Sequence, residues 1–159
     1  MRKEDKLLLL GMVFGDGHVR YDRPELQIVN GVAQLELLKY KVEIVSRIVG
    51  YKINISKSEA NYRFSVQNPY FKFLRKWCYY ANGDRRFAKQ VLNRLTLQAI
   101  AIWYMDDGSL HAKKQNGKIH AYELTISCCA KNEIDAQNIV DVFNQRFNIS
   151  FTIKRNKVS

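Results

Sequence analysis

Two stretches of the chain are apolar at nearly every position, and both end in aspartate and glycine. Residues 6–14 read KLLLLGMVF and run into Gly15-Asp16-Gly17, and residues 96–105 read TLQAIAIWYM and run into Asp106-Asp107-Gly108. A helix that is apolar all round is buried on every side rather than on one face. Glycine just past the last apolar residue is an ordinary helix stop. The pattern therefore predicts two central helices, each closed by an acidic turn.

Between and after them the period changes. Residues 18–23 and 26–29, separated at Pro24, read as a hairpin. Residues 32–49 carry an approximate helical stripe at Val32, Leu35, Leu38, Val42, Val45 and Val49, closed by Gly50. Two alternating stretches follow. Ile53 and Ile55 point inward with Lys52, Asn54 and Ser56 outward, and Tyr62, Phe64 and Val66 point inward with Arg63, Ser65 and Gln67 outward. Asn68-Pro69 is a helix start, and the helix over 70–80 is rich in aromatics and in Lys72, Arg75 and Lys76.

The chain then starts again. A basic connector around Arg85, Arg86 and Lys89 leads into the second apolar helix. Strands over 109–113 and 119–127 follow, then a helix over 132–147 with Ile139, Val140, Val142 and Phe143 on its apolar face, and a strand over 149–154. Aligning the acids sets the repeat at 91 residues (107 − 16), the length of a duplicated small domain rather than of a solenoid unit. The reading is an α+β chain with a first repeat over 1–84, a connector over 85–95 and an incomplete second repeat over 96–159, short of a last strand and a last helix.

Charge narrows the class of partner. Among 159 residues, 26 Lys and Arg oppose 15 Asp and Glu, a net charge of +11. A basic globular domain of this kind meets a polyanion, most often nucleic acid. A membrane surface would call for a basic amphipathic anchor or a lipidation motif, and neither is found. Cys78, Cys128 and Cys129 are odd in number and lack the CxxC spacing of a zinc site, which predicts buried or half-buried thiols in a reducing compartment. The first apolar stretch meets Gly15-Asp16-Gly17 without a small-residue cleavage site, so a soluble, intracellular protein is expected.

The acidic helix ends carry the candidate chemistry. Aspartate is unfavourable in a last helical turn, where the macrodipole places negative partial charge. Carboxylates and backbone carbonyls converging there suit a divalent cation that prefers oxygen ligands. Packing of the two apolar helices would bring Asp16 and Asp107 together, and two close carboxylates retain a proton unless a cation neutralises them. Such a pair with Mg²⁺ can support phosphodiester hydrolysis. A solvated capping role is the alternative for either acid alone.

These residues also carry a resemblance. Leu9-Leu10-Gly11-Met12-Val13-Phe14-Gly15-Asp16-Gly17 resembles the LAGLIDADG motif, with Asp16 at its acidic position. Ile100-Ala101-Ile102-Trp103-Tyr104-Met105-Asp106-Asp107-Gly108 resembles a second copy, of the WYMDDGS type found in one branch of the LAGLIDADG homing endonucleases, with Asp107 as the acid. The resemblance covers nearly the whole chain. It implies a saddle of two αββαββα halves, motif helices at their interface and sheets in the DNA major groove. It also implies cleavage of both strands with Mg²⁺ or Mn²⁺, held in addition by the carbonyls of Gly15 and Asp106. Asn30 matches the family's polar residue at the end of the second strand. Arg85 (or Arg86) matches the basic residue ahead of the second motif, and the family's second basic position has no match.

On that reading the outward strand residues face a double-stranded DNA target: Arg20, Gln27, Lys52, Asn54, Arg63, Ser65 and Gln67 in the first half, and His111, Lys113, Glu123, Thr125, Thr152 and Lys154 in the second. Arg and Gln can read base edges and Lys positions the backbone. An ordinary solvated sheet face is the alternative. Lys72, Arg75 and Lys76 read as solvated or phosphate-facing, His18 as a strand residue rather than a general base, and Trp77, Tyr79 and Tyr80 as core. The expected protein is a monomeric endonuclease of intron or intein origin that acts without a membrane. An RNA maturase acting on intron RNA and a catalytically silent DNA-binding protein of the same fold are the rivals.

Overall fold

The first repeat opens on helix α1 (Lys3–Phe14), whose Leu9, Leu10, Met12, Val13 and Phe14 are all buried. Strands β1 (Gly17–Val19) and β2 (Glu25–Gly31), a 3-10 turn (Val32–Gln34) and helix α2 (Leu35–Val49) follow. Strands β3 (Ser56–Lys57) and β4 (Asn61–Gln67) and helix α3 (Phe71–Cys78) complete it. After a short helix α4 (Lys89–Leu92) come α5 (Leu97–Asp107), β5 (Gly108–Gln115), β6 (Lys118–Ile126) and α6 (Glu133–Phe147). This computed structural model describes residues 3–128 and 130–153.

The two motif helices, α1 and α5, pack on each other. Gly11 makes this approach possible, because a β-carbon there would overlap the Ala99 backbone carbonyl. Phe14 then enters an aromatic cluster with Phe87 of the connector and Trp103 of α5, at centroid separations of 4.9 and 5.2 Å. Phe143 of α6 closes the cluster on Trp103 at 6.0 Å. One helix from each repeat, the connector and α6 thus share a single core. Helix α5 departs from the expected all-round burial. Ala99, Ile102 and Trp103 are buried, but Leu97, Ala101 and Met105, spaced by four on the opposite side, are exposed, because α1 and the aromatic cluster cover one side only.

The first sheet is antiparallel in the order β1-β2-β4-β3. Val19, Leu26, Ile28, Phe64 and Val66 face the core; Phe64 and Val66 are the ones the alternation predicts, whereas Lys52 to Ile55, read as strand, lie outside β3. The other face carries Gln27 opposite Ser65 and Glu25 opposite Gln67. The stripe on α2 is rotated from its predicted position. Leu38, Lys41, Ile44, Val45 and Ile48 are buried, whereas Val42 and Val49 are half-buried and Val32 is exposed. Apolar residues surround much of this helix, and a lysine occupies the centre of the face that is covered.

Helix α3 begins later than expected, with Tyr70 at its cap position, and Asn68 shapes the turn before it, its side chain accepting the Tyr70 N–H at 3.0 Å. In the second repeat β5 and β6 form a two-stranded ribbon of 8 and 9 residues, longer than β1 and β2 with 3 and 7. Asn132 caps α6, accepting the Asp135 N–H at 2.8 Å, and the buried Asp135 carboxylate accepts the Phe87 N–H at 3.0 Å. The strand expected over 149–154 is not formed over 149–153, which carry no ladder hydrogen bonds; Lys154 lies outside the described residues. Ile149 and Phe151 instead pack against the core.

Candidate active site

Asp16 and Asp107 stand at the C-terminal ends of α1 and α5, where the packing of those helices brings both repeats to one place. Each is half-buried. Burial raises the Asp16 carboxyl above its ordinary value and Asp106 adds to the rise, against the opposing pull of Lys41, the Asn30 hydrogen bond and Arg85. Asp107 is pushed up to about 6, by burial first and then by Asp16. Arg85 opposes this, Asp106 adds to it, and the Trp103 indole lowers it. The buried Trp103 N–H makes no hydrogen bond of normal geometry, yet it lies close enough to Asp107 to influence it.

A polar network surrounds Asp16. Asn30, at the end of β2 and 1% exposed, donates from Nδ2 to Asp16 Oδ2 at 2.5 Å and to Gln34 Oε1 at 3.2 Å. Gln34 in turn donates to the Met105 carbonyl at 3.3 Å. The Asp106 side chain points inward with no exposure, its Oδ2 accepting the Asp16 N–H at 3.0 Å and its Oδ1 pairing with Lys41 Nζ at 2.5 Å. Lys41, equally buried, also donates to Asn30 Oδ1 at 3.1 Å. Arg85 donates to the Val13 carbonyl and, at 3.0 Å, to the Gly17 carbonyl, so it spans the turn that holds Asp16. Arg86 stacks over the Tyr80 ring instead, which separates the two arginines that sequence left equivalent.

Asp16, Asp107, Asn30 and Arg85 thus come together, and the backbone of Gly15 and Asp106 adjoins them. Sequence reasoning missed Lys41, Gln34 and the inward Asp106 carboxylate. The available signal was the position of Lys41, three residues from Leu38 and three from Ile44 on one helical face.

The polar strand residues fall on two surfaces. In the first half His18 pairs with Gln27, Gln27 with Ser65, and Ser56 with Arg63, while Gln67 lies opposite Glu25. Glu25 ties this surface together by accepting from Gln27 at 2.7 Å and Gln67 at 3.3 Å, and by pairing with Arg23 at 3.0 Å. Arg20 is held by Asp22 at 2.9 Å, and Lys52 and Asn54 are exposed just before β3. In the second half His111 lies opposite Glu123, and Ser109 opposite Thr125 at 2.6 Å between hydroxyls; Lys113 pairs with Glu123 at 3.2 Å. Thr152 is exposed but stands off this ladder, in a cavity wall shared with Ile139, Val140 and Phe151.

His18 is exposed, and its imidazole is held below its ordinary value by partial burial and by Arg75, Arg85 and Arg20. Arg75 is not the solvated residue expected. It donates to the Val19 carbonyl at 2.9 Å and stacks on Tyr79 at 4.1 Å, so it braces β1 on α3. Lys72 and Lys76 are exposed, Tyr79 is buried, and Cys78 is buried with its thiol pushed up to about 12.

An α+β chain built from a duplicated unit, with an acid from each copy meeting at the packed helix ends, defines a two-motif architecture with one composite site. The chain belongs to the LAGLIDADG DNA endonuclease family, whose model matches residues 6–159. Its fold is similar to that of the homing endonuclease I-WcaI bound to its DNA recognition sequence, with a TM-score of 0.76 at 18% identity over 98% of this chain and 73% of that one. It is also similar to the N-terminal LAGLIDADG domain of DUF199/WhiA, with a TM-score of 0.55 at 13% identity over 99% of this chain and 72% of that one. Among curated proteins it is 30% identical over 107 residues to protein RecA of Mycobacterium shimoidei, covering 64% of this chain and 25% of that protein. It is 31% identical over 114 residues to protein RecA of Mycobacterium gastri, covering 68% of this chain and 27% of that protein. The chain therefore spans about a quarter of these relatives. Among the described residues no helix is long and apolar enough to cross a membrane.

Proposed function

We propose that the chain is a sequence-specific endonuclease that hydrolyses phosphodiester bonds in both strands of duplex DNA with a divalent metal. The observation that carries this reading is the meeting of Asp16 and Asp107, half-buried and held above the ordinary carboxylate range at two helix C-termini. Folding alone does not reward that placement, since burial, mutual repulsion and the helix dipoles all oppose the charged pair.

The residues fit a hard divalent cation. The donors are oxygens, and a cation between the acids would offset the repulsion that raises Asp107. Asp16 and Asp107 would hold Mg²⁺ or Mn²⁺, with the backbone carbonyls of Gly15 and Asp106 as further ligands. When bound, the metal supplies an activated water and charge neutralisation at the scissile phosphate. Asn30 orients the Asp16 carboxylate by its hydrogen bond. Arg85 fixes the turn carrying Asp16, and its charge lowers both acids toward the ionised form.

The repeats over 1–84 and 96–159, joined by 85–95, would each present a polar sheet surface to one half of the target. Gln27, Arg63, Ser65, Gln67, Lys52, Asn54 and Arg20 act on one side, and His111, Lys113, Glu123 and Thr125 on the other. DNA bound to I-WcaI supports this partner. Coverage of only a quarter of the RecA relatives fits an endonuclease carried as a segment within a host protein. The chain acts as a monomer, since it contains both acids.

The deciding experiment is a Mg²⁺-dependent cleavage assay on a randomised duplex library, repeated with Asp16→Asn and Asp107→Asn. Each substitution should slow cleavage at least about 100-fold while leaving duplex binding intact. Wild-type rates from either variant would remove that aspartate from the active site. Binding without cleavage by the unsubstituted chain would leave a DNA-binding protein of the same fold, and selective binding of folded intron RNA would favour a maturase.

A further inference from the structure

Among the described residues Lys41 is the largest fully buried charged side chain, and the proposed chemistry does not use it. It is a donor only, and its two recorded acceptors are Asp106 Oδ1 at 2.5 Å and Asn30 Oδ1 at 3.1 Å. The second contact has a consequence for Asn30. An asparagine amide can flip, exchanging its oxygen for its nitrogen with little change in shape. With the ammonium on Oδ1, the nitrogen must face Asp16, and it donates there at 2.5 Å. Without the ammonium, the Asn30 oxygen loses its buried donor, and only the acceptors on the nitrogen side, Asp16 Oδ2 and Gln34 Oε1, hold the amide in this orientation.

In the second repeat the corresponding described positions carry other side chains. Ile28 lies opposite Gly17 in the first hairpin and Ile126 opposite Gly108 in the second, so Cys128 occupies the position of Asn30. The face of α2 formed by Leu38, Lys41, Ile44 and Val45 corresponds in spacing to Ala136, Ile139, Val142 and Phe143 of α6, so Ile139 stands where Lys41 does. An amide held by an ammonium serves Asp16. At Asp107 the same two places hold a thiol and an aliphatic side chain.

We propose that Lys41 is a positioning residue that locks the amide of Asn30 toward Asp16, and that this lock makes the two half-sites unequal. Its effect on cleavage rests on the endonuclease reading; its effect on Asn30 does not. Cutting of the strand served by Asp16 then depends on Lys41, and cutting of the other strand does not.

Two variants separate positioning from folding. Lys41→Met alone strands the Asp106 carboxylate and lowers stability. Lys41→Met with Asp106→Asn removes both buried charges, and the new amide oxygen still accepts the Asp16 N–H. Side-chain amide NMR on the full chain reads Asn30 directly. In the double variant its resonances should move and its protection from exchange fall about tenfold, while Tm stays near the wild-type value. An unchanged Asn30 amide overturns the proposal.

The second measurement uses the duplex recovered from the randomised library with the wild-type chain in Mg²⁺, its two strands labelled separately. The double variant should slow the strand served by Asp16 about tenfold or more beyond any slowing of the other strand, which absorbs the loss of the Asp106 charge beside Asp107. Equal slowing of both strands, or an unchanged ratio, overturns the inequality of the half-sites. If the wild-type chain cuts no duplex while the Asn30 amide responds as expected, the endonuclease reading fails and the positioning role stands.

Discussion

Asp106 fills the volume that Gly15 leaves open. A β-carbon on Gly15 would overlap the Asp106 carboxylate, the group that accepts the Asp16 N–H at 3.0 Å. The two motifs are thus not interchangeable: the residue before the acid must be small in α1 and is a buried acid in α5. Gly15→Ala should displace Asp106 from Lys41 and destabilise the protein by about 2–4 kcal/mol, as expected for overpacking against a buried ion pair. Asp106→Gly removes the obstacle, so a double-mutant cycle by chemical denaturation should show a coupling of about 1 kcal/mol or more. Additive effects would mean that the two positions do not share this space.

Gly11 tests the central interface at a point away from the acids. The Ala99 carbonyl lies where a β-carbon would be, so Gly11→Ala should already cost about 1–3 kcal/mol, and Gly11→Phe should prevent the helices from packing. Alanine is the better helix former, by nearly 1 kcal/mol. A rise in Tm for Gly11→Ala would therefore show that the helices stand further apart.

Asp107 gives a pH dependence with a definite sign. Its carboxyl sits at about 6 in the folded chain against an ordinary 3.8, so the folded state binds the proton more tightly. Stability is favoured while Asp107 is protonated and falls as pH rises from about 4 through 6. Without divalent ions, Asp107→Asn should raise Tm at pH 7.5 and leave it nearly unchanged at pH 4. Mg²⁺ should raise the wild-type Tm at pH 7.5 and do so much less for the variant. A lower Tm for Asp107→Asn at pH 7.5 without metal contradicts the placement.

Duplex binding should respond steeply to salt. With roughly six or more phosphates neutralised, affinity falls about 1,000-fold between 50 and 200 mM salt by counterion release. Arg63→Ala should lower affinity at every concentration. Lys113→Ala should have a smaller effect, because Lys113 is already paired with Glu123 at 3.2 Å. A flat salt response would remove DNA as the main ligand of these surfaces.

The pattern of the chain showed the parts of the fold that depend on local period. The two apolar helices, the alternation at Tyr62, Phe64 and Val66, and the Asp-Gly ends could all be read directly, and with them Asp16 and Asp107. Asn30 and Arg85 were reached only through the family resemblance, because their meaning lies in contacts across 14 and 68 positions. Lys41 was hidden for a related reason. Charged residues on a helix are ordinarily solvated, and nothing local shows that Asp106 waits 65 positions away. The α2 stripe was misplaced with it, since Val42, Val45 and Val49 form an equally regular face once Lys41 is taken as polar. The strand over 149–154 failed because alternation cannot reveal whether a neighbouring strand is there to receive it.

The ribbon of β5 and β6 has a consequence for how the two halves of a target would be read. In the first half β2 has a strand on each side, whereas among the described residues β6 has only β5. A two-stranded ribbon twists more strongly than a larger sheet, and on its own it is only marginally stable. If the chain reads duplex DNA as proposed, the half of its target beneath the sheet is held to a strict spelling, and the half beneath the ribbon can accumulate substitutions without escaping. A genome defending itself by point mutation would find only one side of the site worth changing.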